Sequence, residues 1–187
     1  EMIARGHRLL ITGEMGIGNT SASSALVAAF TGADVDQVVG KGTGLDEEGR
    51  KKKVKTIEEA LRRRNITQST PPLDVLAKVG GLEIAALTGV ILEGATRRVP
   101  VLVDGFISSA AALVADRLEP AIRPYLMIAH ASAERGHKSV TDFLQIKPLL
   151  QLDLCLGEGT GAALAYPLVQ GAARIMSEMA TFSELGL

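Results

Sequence analysis

The chain has 187 residues, with 20 Lys and Arg set against 21 Asp and Glu. It therefore suits one domain, or one with a small appendage, and carries no basic excess that would point to nucleic acid. The single cysteine, Cys155, excludes an internal disulfide and a cysteine-cluster metal site and fits a reducing cytoplasm.

The chain opens without Met on "EMIARGHRLLITG". It shows no basic-then-apolar leader there, and a strand candidate begins almost at once. We expect a piece whose N-terminal part is absent. "RLLIT" (8–12) reads as a buried strand that runs into "TGEMGIGNT" (12–20) and then into the helical pattern "NTSASSALVAAF". Glycines without Cβ let backbone N–H groups approach a ligand, and the helix N-terminus adds partial positive charge suited to an anion. The spacing G-x-x-G-x-G matches neither the dinucleotide fingerprint nor the P-loop. The alternative is a tight turn with Asn19 or Thr20 capping the helix, and the pattern alone slightly favours it.

A second glycine loop, "GKGTGLDEEGRKKK" (40–53), carries Lys41, Lys51, Lys52 and Lys53. Such a loop can neutralise a phosphate, or its lysines can simply face water. Periodicity favours Lys53 as the inward one. Residues 45–65 read as a surface helix: Val54, Ile57 and Leu61 share a stripe, with acids at its start and arginines at its end. Residues 71–95 read as two helices joined at Gly80–Gly81.

"VPVLVDG" (99–105) is a second strand followed by the helical "FISSAAALVADRL", with Asp104 at its tip. Asp104 can bond ribose hydroxyls or cap the next helix. Pro120 and Pro124 bracket a short connector to a third strand, "YLMIAHA" (125–131), which ends near Ser132. His7, His130 and His137 do not form a metal set, and His130 reads as a satisfied core or edge residue. Three apolar runs alternating with helices predict an α/β layer architecture with a buried parallel sheet. Ligands of such sheets lie beyond the carboxyl ends of the strands.

The last forty residues read as all helix around Pro167. Their longest weakly charged apolar run, "GTGAALAYPLVQGAA" (159–173), is too short to span a bilayer. Within "LCLGEGTGAALA" (154–165), Glu158 stands between glycines in apolar surroundings. One reading makes it a carboxylate at a helix N-terminus. The other makes it a general base in a partly desolvated pocket, its pKa lifted toward working pH.

Six stretches in order, "GEMGIGNT", "KGTGLDEEG", "GGLEIAALTG", "VDGFISSAAAL", "AHASAERGH" and "LGEGTGAALA", resemble the nicotinate-nucleotide–dimethylbenzimidazole phosphoribosyltransferase family of cobalamin assembly. The resemblance covers nearly the whole chain but only the C-terminal half or so of a family member. It implies a Rossmann-like parallel sheet flanked by helices over 1–150, its N-terminal part missing. It also implies a C-terminal helical segment over 151–187 that carries the Glu158 loop and belongs to a smaller helical domain. The implied activity moves phosphoribose from nicotinate mononucleotide to 5,6-dimethylbenzimidazole, giving α-ribazole 5′-phosphate and nicotinate. Neither cofactor nor metal is expected, because no pyrophosphate leaves.

The same resemblance implies roles for particular residues. Glu158 is the general base, and Glu14 a second carboxylate near the reacting centre. Gly16, Gly18 and Asn19 offer loop contacts to the nucleotide. Lys53 meets the 5′-phosphate, Asp104, Gly105 and Ser132 complete the nucleotide side, and Leu156 is a further substrate contact. A cytoplasmic homodimer without nucleic-acid or membrane partners is implied. Cys155 departs from the Arg common in the family, which leaves the phosphate to Lys53 or another base. A second reading makes the chain a truncated, non-catalytic nucleotide- or phosphoribosyl-binding module.

Overall fold

The computed structural model describes residues 1–42 and 44–186; Thr43, inside the second glycine loop, and Leu187 lie outside the described residues. Three short strands, β1 (Leu10–Ile11), β2 (Val101–Val103) and β3 (Leu126–Ile128), form one parallel sheet in that order. Leu10 stands opposite Val101, and Val101 opposite Leu126. A parallel sheet is covered on both faces, so its strands read as continuous apolar runs. Alternation along β2 divides those faces. Val101 and Val103 join the main core, whereas Leu102 joins Ala129, Ala162 and Ala165 on the opposite side.

The main core is built by α1 (Thr20–Thr31), α4 (Pro72–Val79), α5 (Leu82–Thr96), α6 (Phe106–Leu118) and α7 (Arg135–Leu144). Helix α6 is its centre: Ala110 to Ala115 are wholly buried. Its small residues let α1 and α5 pack closely against it. The short α2 (Val35–Val38) and the long α3 (Glu47–Arg63) close a satellite cluster in which Val54 and Ile57 meet Ala25, Val35 and Val39. Asp46 caps α3 by accepting from Gly49 N at 2.7 Å. Arg50 crosses that cluster buried, bonding Glu47 at 2.8 Å and Asp36 at 2.9 Å.

The last forty residues are not all helix. Among the described residues there, only α8 (Thr160–Glu178) is helical, and it continues past Pro167. Upstream, the chain adds to the β3 edge: Leu150 N donates to Ala129 O, and Ala131 N to Leu150 O. This pairing is made by Leu149 and Leu150, directly after Pro148, whereas Asp153 already takes left-handed backbone with φ of 50°. The first half of α8 packs on the sheet through Gly161, Ala162 and Ala165, so it covers one sheet face. Among the described residues no helix is long and apolar enough to cross a membrane.

Candidate active site

The turns that leave the three strands emerge at one edge of the sheet, and the loop before α8 crosses the first of them. Glu158 N donates to Glu14 O at 3.0 Å. This approach requires glycine on both chains. A Cβ on Gly13 would stand 2.4 Å from Gly159 N, and one on Gly157 would stand 2.5 Å from Glu14 O. Glu158 and Gly159 both adopt left-handed backbone, with φ of 63° and 81°. That conformation turns the chain sharply into α8.

A cavity of about 550 Å³ opens beside this junction. Glu14, Gly16, Asp104, Gly105, Ser132, Leu156 and Glu158 line it, so seven residues singled out from the sequence come together. Gly18 and Asn19 do not line it. They face a second hollow, on Gly80, Gly81 and Glu83. Asn19 makes no side-chain cap on α1. Its Nδ2 instead donates to Met15 O at 3.2 Å and reaches Glu14 Oε1 at 3.5 Å, bracing the first loop from within.

Lys53 borders the cavity through its neighbours. Its Nζ donates to Thr20 Oγ1 at 2.8 Å, and Thr20 and Gly42 line the wall. Burial holds its pKa below the usual lysine value, and Glu134 opposes that shift. Lys41, Arg135 and Gly40 line the cavity here too, with the Glu134 carboxylate beside Gly40, so this end holds charges of both signs with the cations in excess. Glu134 and Arg135 line the cavity, although the sequence reading did not single them out. The signal was present in the charged pair inside "SAERGH", directly after the third strand.

Beneath the cavity lies a buried polar group. Asp104 is 1 % exposed and accepts from Gly159 N at 2.9 Å and Ala162 N at 3.0 Å. It does cap a helix, but α8 rather than the α6 that follows it. His130, equally buried, has Nδ1 3.7 Å from Asp104 and without a hydrogen-bond partner, so it is not the satisfied residue expected. Its ring fills the space left by Gly161, where a Cβ would fall 1.9 Å from Nδ1. Burial pushes its pKa down against the pull of Asp104. His137 Nδ1 accepts from Ser132 N at 3.3 Å, and its Nε2 faces Ser109 Oγ at 3.1 Å. A backbone N–H aimed at Nδ1 assigns the proton to Nε2. Burial, with His130 adding to it, lowers the His137 pKa to about 4.

Glu158 departs from expectation in one respect. Its side chain is exposed, so the described residues do not desolvate it. Cys155, also exposed, lines the same wall. No group of three or more metal-ligating side chains occurs among the described residues.

A family described as phosphoribosyltransferase matches residues 1–187. The nicotinate-nucleotide–dimethylbenzimidazole phosphoribosyltransferase of Chloroflexus aggregans is 56 % identical over 189 residues, covering all of this chain and 53 % of that protein. The protein of the same name from Halalkalibacterium halodurans is 52 % identical over 185 residues, covering 99 % of this chain and 52 % of its own length. The crystal structure of CobT from Thermus thermophilus superposes with a TM-score of 0.93 at 47 % identity, over all of this chain and 55 % of that one. This chain thus spans about half the length of the curated relatives it matches.

Proposed function

Because this chain belongs to the nicotinate-nucleotide–dimethylbenzimidazole phosphoribosyltransferase family, we propose that it supplies the reaction site of such an enzyme. The reaction moves phosphoribose from nicotinate mononucleotide to 5,6-dimethylbenzimidazole and releases nicotinate. One observation carries the reading: Glu14 and Glu158, whose backbones are joined by a hydrogen bond, both line a cavity that Lys41 and Arg135 line as well.

The chemistry matches that layout. The 5′-phosphate takes the wall formed by Thr20, Gly40, Lys41 and Gly42, with the Lys53 ammonium behind Thr20. One ring nitrogen of dimethylbenzimidazole attacks the anomeric carbon from the face opposite nicotinate. The bond to the pyridinium nitrogen breaks with its electron pair passing to that nitrogen, which becomes neutral. Glu158 takes the proton from the other benzimidazole nitrogen, and the β-linkage is inverted to α. Proton removal by a positioned base contributes about 10²–10⁴-fold in rate. Glu14, braced by Asn19, stabilises the oxocarbenium character of the transition state. Holding two substrates in line contributes as much or more.

The proposal includes a cytoplasmic homodimer. The exposed Leu164, Leu168, Ile175 and Met176 along α8 support an assembly that covers this face. The test follows nicotinate release from nicotinate mononucleotide with and without dimethylbenzimidazole. Release that requires the base supports the transferase. Binding of the mononucleotide with no release overturns it in favour of a non-catalytic binding module.

A further inference from the structure

We propose that Asp104 is a positioning residue for Glu158: by bonding the Gly159 and Ala162 amides it fixes the left-handed turn from which Glu158 reaches the cavity. This rests on the phosphoribosyl-transfer reading above and assigns Asp104 a task other than substrate contact.

The first N–H groups of a helix have no intrahelical acceptor and must be satisfied from outside. At α8 the usual source fails, because the cap position is Gly159 and has no side chain to offer. Asp104, 55 residues upstream, supplies both acceptors: Oδ2 to Gly159 N and Oδ1 to Ala162 N. Thr160 N is taken by Gly157 O at 3.1 Å. The carboxylate thus acts as a cap delivered from another element, where helix polarity favours negative charge.

Geometry makes this a route to Glu158 in particular. Asp104 directly follows Val103, at the tip of the central strand and fully buried, so its carboxylate is held by a rigid element. Glu158 and Gly159 are two consecutive left-handed residues. For a residue with a Cβ that conformation is unfavourable unless neighbours enforce it. Two contacts enforce it here, Glu14 O on Glu158 N and Asp104 on Gly159 N. Asp104 is 1 % exposed with both oxygens engaged, which leaves little for a ribose hydroxyl to reach. His130 Nδ1, at 3.7 Å, is too far to compete for Oδ1.

Asp104→Asn keeps the shape but sets an amide NH₂ against one of the two backbone donors. In the whole protein its kcat is expected to fall about tenfold or more, with KM for nicotinate mononucleotide unchanged within about twofold. Placed in a Glu158→Gln background, it should add less than about a further twofold, since it acts through the group already removed. Hydrogen exchange at the Gly159 and Ala162 amides should accelerate in the variant. A raised KM with normal kcat, or two losses that multiply, would overturn the assignment. Should Asp104→Asn not fold, the parent decides. Its Ala162 amide must exchange as slowly as the interior of α8, and exchange at the rate of an unbonded first turn refutes the proposal. If the parent releases no nicotinate, the transferase reading fails, and exchange alone decides whether Asp104 holds the turn.

Discussion

Acidification should destabilise the fold through His137. This residue is 2 % exposed, and burial sets its folded pKa at about 4 against an ordinary value of 6.5. The unfolded chain therefore takes up a proton that the native chain refuses. Stability falls as pH drops below the unfolded value, and the loss is complete only below the folded one. At about 1.36 kcal/mol per unit, the cost is about 2 kcal/mol by pH 5 and about 3 kcal/mol by pH 4. His130, shifted in the same direction by burial, adds to it. A structural reason accompanies the number: protonating Nδ1 removes the acceptor for Ser132 N and places two donors face to face. Urea unfolding at a series of pH values measures the slope. His137→Asn keeps an acceptor near the Nδ1 position without the titration, so its curve should be flatter between about pH 6.5 and pH 5. Parallel curves for the parent and His137→Asn would refute the reasoning.

Other perturbations have equally definite outcomes. Gly161→Ala gains helix propensity but drives a Cβ to within 1.9 Å of a buried histidine ring; a net loss of about 1–3 kcal/mol is expected in thermal or urea unfolding. Gly13→Ala places a Cβ 2.4 Å from the Gly159 backbone, which cannot move as a flexible side chain can. It should part the first loop from the Glu158 loop and lower kcat by more than it lowers stability, as steady-state kinetics and a melting curve together will show. Lys53→Met removes the ammonium bonded to Thr20 at the cationic wall. Binding of nicotinate mononucleotide should weaken about 10- to 100-fold, as for a lost charge-assisted hydrogen bond, with a smaller change in kcat; titration calorimetry and kinetics separate the two.

What could be read from the residues was mostly local. The helix predicted over 45–65 is α3, Glu47–Arg63, because cap, stripe and end charges all lie within it. The break at Gly80–Gly81 separates α4 from α5 because both glycines take extended backbone there. Lys53 borders the cavity because it adjoins the Val54–Ile57 stripe that turns that face inward. The failures were long-range or ambiguous in period. Leucines in 149–156 are strong helix formers, and the pairing of Leu149 and Leu150 with the chain around the end of β3 holds the segment out of a helix. Asp104 reads either as a ribose contact or as a cap for the helix next to it, yet its oxygens accept from amides 55 and 58 residues away. Asn19 was free to cap α1, but the close turn of the first loop drew its side chain to Met15 and Glu14 instead.

The most direct trial of the account replaces Glu158 with glutamine, equal in shape and unable to take a proton. With nicotinate mononucleotide and dimethylbenzimidazole both saturating, nicotinate release should slow by about 10²–10⁴-fold while mononucleotide affinity stays that of the parent. A Glu158→Gln protein that turns over at the parent rate would contradict the central claim.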